Sequence, residues 1–266
     1  MTASSHVSGS DILSRMPLVK FTGYITPPVL LLRLKGKPAT LSDPTLGTAS
    51  MKFSIEGSII NAECEIETVN DETMTVLHWF VIARIGSAVD AIAFSRGIGV
   101  TVIMDHCEMP DGRKGPIGLR DDDLMNICSS ITEGDIFEIG SQQGAVFKLI
   151  QDLVWSVFRP LDAPINCARA VEGFRTLMYP IPPDQEPERG RDQREWLFMQ
   201  EHLNLSVDYL KFITDLSKGP RHGKVGTVRI GDIGETRLRG WTVAIRFIEF
   251  RKRGSVKLLD PEFQHR

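Results

Sequence analysis

Apolar residues alternate with polar ones near the start of the chain and then fall into helical spacing for most of the rest. Leu18 to Ile25 and Val29 to Leu34 are rich in apolar and β-branched residues and are separated by Pro27-Pro28, so both are predicted strands. Lys35 to Thr48 reads as a loop. Met51, Phe53 and Ile55 then share one face, as do Ile60, Ala62, Cys64 and Ile66 after Gly57-Ser58. A period of two around a Gly-Ser turn predicts a hairpin, with Lys52, Ser54, Glu63 and Glu65 on the wet face. Val100 to Met104 is a further predicted strand, and Pro110-Asp111-Gly112 is turn chemistry.

After residue 70 the spacing changes to three and four. Met74, Leu77, Val81, Ile85, Ala88, Val89 and Ile92 define a helix to Ser95, capped by Asn70 or Asp71 and stopped at Gly97. Phe80, Ile82 and Phe94 make it apolar around most of its girth, which predicts packing on more than one side, across the sheet. Further helices are predicted over 121–131, 143–158, 162–178, 194–203, 206–217 and 232–253. The expected fold class is α+β. A small antiparallel sheet with one long packed helix occupies 16–135, and a helical bundle follows over 140–255. A proline-rich exposed loop over 179–192 interrupts the bundle, and tails over 1–15 and 256–266 flank the whole.

Composition narrows the class. The 266 residues are 42% hydrophobic and 24% charged, the balance of a globular chain with a real core. A net charge of −3 is not that of a polycation built for nucleic acid. The sign is uneven, though. From Lys218 to Lys257 there are eleven Lys or Arg against three acids, a local net of +8 that leaves −11 for the remainder. Either this is an anion-binding face, or acidic and basic surfaces complement each other within the molecule or across a homo-oligomer. Cys64, Cys107, Cys128 and Cys167 have no zinc-ligand spacing and are expected as reduced thiols. The N-terminal residues lack an apolar signal core. The longest uncharged stretch of the long helix, Thr73 to Ala83, is short of the ~20 residues a membrane span needs. A cytoplasmic protein without membrane contact is therefore expected.

Chemistry-bearing motifs are sparse. There is no phosphate loop, no Gly-x-Ser-x-Gly elbow and no His-Glu-x-x-His. Gly97-Ile98-Gly99 leaves a helix and enters a strand, the reverse of a dinucleotide site. Asp105-His106-Cys107-Glu108 gathers four ligand types, but neighbouring strand residues point to opposite faces, so a polar cluster is preferred to a metal site. His78 lies on an apolar helix and reads as a core histidine. No metal and no cofactor are expected.

The segment Ser217-Lys218-Gly219-Pro220-Arg221-His222-Gly223-Lys224 places three cations around one imidazole, in what reads as a loop following a helix. Glycines allow close backbone approach to a ligand, and Arg with Lys suits phosphate or carboxylate. Lys218, Arg221, His222 and Lys224, with Arg251, Lys252 and Arg253 at the end of the last helix, are the candidate anion- or nucleic-acid-binding residues. The alternative is a basic loop that caps the carbonyls of the preceding helix.

Two resemblances bear on function. The order of Ala170-Val171-Glu172-Gly173-Phe174-Arg175, Tyr209-Leu210-Lys211-Phe212-Ile213, His222-Gly223 and Phe247-Ile248-Glu249-Phe250-Arg251-Lys252-Arg253 resembles the J-type methylamine-utilisation proteins, most clearly over 160–254. That resemblance implies a non-catalytic accessory protein of bacterial methylamine catabolism, acting on an unidentified protein partner or an anionic ligand. The helical half with its basic Arg-His-Gly stretch is similar to HEPN domains, a helical family with many ribonucleases. Their signature sets an arginine several residues before the histidine, whereas here Arg221 adjoins His222 and the earlier cation is Lys218. This second resemblance implies RNA as a partner. A third reading is an enzyme acting on a small anionic substrate at the same segment.

Overall fold

The alternating segments assemble one antiparallel sheet. The computed structural model describes residues 16–117, 122–182, 185, 189–224 and 228–259. The tail expected over 1–15, Asp121, Pro183, Pro187 and residues 260–266 lie outside the described residues. The strands are β1 (Leu18–Thr26), β2 (Leu32–Lys35), β3 (Ala39–Asp43), β4 (Gly47–Gly57), β5 (Ile59–Ile66), β6 (Thr101–Glu108) and β7 (Lys114–Pro116). They lie in the order β2-β4-β5-β1-β6-β7, with β3 also paired to β4. The expected hairpin is β4–β5, with Lys52 opposite Glu63 and Phe53 opposite Ala62. Its turn places Gly57 at φ 64°, a conformation glycine adopts without penalty. Strand β3 occupies what read as a loop: Leu41 pairs with Ala49 and Thr40 with Ser50 along the edge of β4.

One face of the sheet buries Val19, Phe21, Met51, Phe53, Ile55, Ile60, Ala62, Cys64 and Ile66. The long helix α1 (Asp71–Arg96) lies on this face, where the His78 ring stacks on Phe21 with centroids 6.2 Å apart. A capping box opens the helix: the Asn70 side chain accepts from the Thr73 amide, and Thr73 Oγ1 accepts from the Asn70 amide. Gly97, left-handed at φ 64°, closes it. By length and composition α1 is apolar enough to cross a membrane. Its Val76, Leu77, Val81, Ile85 and Val89 are instead buried, the apolarity of a helix packed on a sheet.

His78 is the core histidine its setting suggested. Its Nε2–H donates to the Met104 carbonyl at 3.1 Å, and burial lowers its pKa below the usual histidine range. The unfolded chain therefore takes up a proton here at a higher pH than the folded one does. Stability from this site is complete above the unfolded value of about 6.5 and is lost as pH falls below it. Urea unfolding at pH 7.5 and 5.5 should show wild type losing more stability on acidification than His78→Gln, which keeps a donor but does not titrate. Equal losses would contradict the account.

The chain divides into its two units after Ile117, earlier than the expected 135. The second unit holds α2 (Asp122–Cys128), α3 (Glu133–Gln142), α4 (Ala145–Phe158), α5 (Ala163–Met178), α6 (Arg191–Leu203), α7 (Val207–Arg221) and α8 (Ile230–Lys252). Helix α5 is its axis. Ala168, Ala170, Val171 and Phe174 are fully buried, and the Phe174 ring meets Phe247 of α8 at 4.8 Å. Small residues let the helices approach: a Cβ on Gly240 would sit 3.0 Å from Cys167 Cβ, and one on Gly173 would strike Leu149. The expected C-terminal tail is in part a packed segment. Leu258 is buried and its amide donates to the His202 carbonyl, while Lys257 pairs with Glu201, so apolar burial and polar contacts together hold this segment on the bundle. The α+β class holds throughout, a seven-stranded sheet followed by helices.

Candidate functional site

The basic segment is helical where a loop was expected. Helix α7 continues through Lys218, Gly219 and Pro220 to Arg221. Proline's fixed φ is a helical value, and its usual clash with the preceding Cβ does not arise because residue 219 is glycine. The helix then ends in a Schellman motif. The Lys224 amide donates to the Gly219 carbonyl and the Gly223 amide to the Pro220 carbonyl, with Gly223 at φ 72°. Gly223 thus has a structural duty that its sequence context already fitted, and His222 is the exposed cap residue.

The cations of this segment and of the last helix are largely spoken for. Lys218 bonds Asp215 at 2.6 Å, and Arg221 bonds Glu172 of α5 at 3.0 Å. Lys252 bonds Asp135 of α3 at 3.0 Å, and Arg253 lies 3.6 Å from Glu249. The Asp135 carboxyl is held below its usual range by the Thr132 amide first and Lys252 second. Lys224 is exposed and Arg251 half-buried. Lys218 and Arg221 are therefore anchored to α7 and α5, and Lys252 to α3 and α8, as two separate groups. Asp105, His106, Cys107 and Glu108 lie on β6. Asp105 is the extra residue of a bulge opposite Thr22 and Gly23, and Glu108 pairs with Lys114. Among the described residues no group of three or more His, Cys, Asp and Glu is placed to hold a metal ion. All four cysteines are free thiols, and burial pushes Cys64 and Cys167 up to about 12.

One cation of the basic segment, Lys218, does line a concavity. Helices α6 and α7 both pack on α5, and a groove of about 760 Å³ lies between them. Helix α6 contributes Asp192, Gln193, Trp196, Leu197 and Gln200, α7 contributes Val207, Leu210, Lys211, Thr214, Asp215 and Lys218, and α5 contributes Glu172 and Arg175. These positions recur with helical spacing, so each helix turns one stripe to the groove, about 12 Å long on α6 and about 16 Å long on α7. Leu197 and Val207 remain 54% and 52% exposed, apolar surface left uncovered inside a concave site. Lys211, on the same stripe, is exposed and has no acid partner among the described residues.

The groove's outer end is held by charge. Arg175 of α5 lies over the Trp196 ring, 4.7 Å from its centroid, and pairs with both Asp192 and Glu195 of α6. Glu195 is buried and also accepts from Arg191 Nε at 2.7 Å. This bracket fixes the wall of the groove to its floor. Neither Trp196 nor Lys211 was singled out from sequence. The signal present was the pair of amphipathic stripes on consecutive helices, each with an apolar residue facing the polar side.

The model of the N-terminal domain of a domain of unknown function, DUF8168, matches residues 19–117, and that of its C-terminal domain matches residues 134–252. No curated protein and no solved structure matches the chain.

Proposed function

Starting from a chain that carries both DUF8168 domains, we propose that it is a non-catalytic binding protein whose helical unit takes an amphipathic organic anion into the groove between α6 and α7. The observation behind this reading is the groove's make-up, apolar walls of Trp196, Leu197, Val207 and Leu210 beside the ammonium of Lys211, which has no acid partner among the described residues. Its volume lies within the roughly 300–1,000 Å³ of small-molecule sites. Covering these apolar walls removes apolar surface from water at about 25 cal/mol per Å², while Lys211 fixes the orientation of the anionic end. The lining's carboxylates, Glu172, Asp192 and Asp215, each lie beside a cation, Arg221, Arg175 and Lys218 respectively, which suits a binding role better than proton transfer.

The setting proposed for this binding is an accessory role in bacterial methylamine utilisation, which rests on the resemblance over 160–254. An RNA-binding role has less support. Lys218, Arg221, Lys252 and Arg253 each sit beside a carboxylate, which weakens the field they offer to a phosphate backbone.

Calorimetric titration with 4-phenylbutyrate, an apolar ring bearing one carboxylate, tests the groove. Wild type should bind, and Lys211→Glu and Leu197→Asp should each weaken binding about tenfold or more, the scale of one lost charge or apolar contact. Absence of binding, or binding indifferent to both changes, would overturn the reading. Deleting the gene should impair growth on methylamine as sole nitrogen source, and unimpaired growth would remove the proposed setting.

A further inference from the structure

We infer that Asp192 is a built-in competitor for the groove: its carboxylate occupies the outer side of the Arg175 guanidinium, and the ligand's carboxylate takes its place there. This rests on the groove reading above and names the chemistry of the ligand's anionic end.

The two carboxylates on Arg175 are held very differently. Glu195 is 5% exposed, lies 3.2 Å from Arg175 Nε, and is fixed further by Arg191 at 2.7 Å and by the Thr176 hydroxyl at 3.4 Å. Asp192 is 73% exposed, and among the described residues its polar contact is to Arg175 Nη1. Arg175 itself is only 14% exposed and lies over the Trp196 ring, 4.7 Å from its centroid. A half-buried guanidinium with a locked carboxylate near its Nε and a loose one on Nη1 is a ready fork for an incoming carboxylate.

The exchange conserves charge. One Arg–carboxylate pair breaks and another forms, so the swap sacrifices no ion pair. Asp192 released from Arg175 stays in the first turn of α6, where the helix dipole favours an anion. Glu195 remains in place, so Arg175 keeps its orientation and α6 stays on α5. With the ligand's carboxylate on Arg175 and its apolar body on Trp196 and Leu197, Lys211 serves as a second positive contact across the groove.

The test compares the full chain with Asp192→Asn, titrated with 4-phenylbutyrate and with its neutral analogue 4-phenylbutyramide. Asp192→Asn should bind the carboxylate about three- to fivefold more tightly than wild type, the scale of one exposed ion pair relieved, and should bind the amide no differently. Unchanged or weaker carboxylate binding by Asp192→Asn, while wild type binds and Lys211→Glu weakens it, would overturn the competitor role and leave the groove standing. A wild type that binds neither compound overturns both. Should Asp192→Asn fail to fold, Asp192→Ser carries the same comparison, since serine is well tolerated at a helix start.

Discussion

Glu195→Ala is expected to destabilise the helical unit by about 3 kcal/mol and to abolish ligand binding with it. The side chain is buried, and it draws together Arg175 of α5 and Arg191 of its own helix. Removing one partner of a buried ion pair costs roughly 3–5 kcal/mol, because the remaining charge stays desolvated without compensation. The lower end applies here. Arg175 keeps Asp192, and Arg191 keeps the carbonyls of Ile181 at 2.7 Å and Pro182 at 3.1 Å. The functional consequence follows from position, since Glu195 joins the α6 wall to the α5 floor and its loss frees that wall. Urea unfolding of wild type and variant measures the effect. A difference under about 1 kcal/mol would mean that the bracket does not hold the groove together.

The second large effect lies in the sheet. Gly23 sits in β1, between β5 and β6, at the bulge made by Asp105. A Cβ at this position would lie 2.0 Å from the Ile103 carbonyl oxygen and 2.8 Å from Met104 Cα. Those atoms are backbone, so no side-chain rotation relieves the overlap, and β1 and β6 must separate where their pairing is already irregular. Gly23→Ala should cost about 2–3 kcal/mol, at the upper end of what forced overpacking costs. Thermal unfolding that left Gly23→Ala level with wild type would contradict the close approach of β1 to β6.

Much of this architecture was legible where pattern and punctuation agree. The alternation of Met51, Phe53 and Ile55 with Lys52 and Ser54 announced β4, and the helix from Asn70 to Gly97 carried both its caps in the sequence. Strand β3 was hidden because Ala39-Thr40-Leu41-Ser42-Asp43 has little apolar content, and edge pairing to β4 creates it. Helix α3 was hidden because Gly134 and Gly140 dilute its periodicity, although Thr132 and Asp135 form a capping box. At the basic segment, Gly219, Pro220 and Gly223 read as loop punctuation. The pairing of Gly219 with Pro220 instead permits one more helical turn, and Gly223 terminates it.

The charge excess near the C-terminus was real in sequence, but its meaning depended on partners far away in the chain. Arg221 reaches Glu172 and Lys252 reaches Asp135, separations that no local pattern encodes. The groove was illegible for the same reason. Its stripes on α6 and α7 look like ordinary amphipathic faces, and only the packing of both helices on α5 shows Leu197 and Val207 left uncovered in the groove between them. Lys211 becomes distinctive only because the acids nearby are engaged elsewhere, Asp215 by Lys218 and Asp192 by Arg175.

The binding groove is tested most directly by two-dimensional amide spectra of the isotope-labelled full chain during titration with 4-phenylbutyrate. The indole N–H of Trp196 and backbone amides over 193–200 and 207–218 should shift together and saturate at one common dissociation constant. Shifts confined to the sheet unit, or an unchanged spectrum at millimolar probe, would show that the groove does not receive an amphipathic anion.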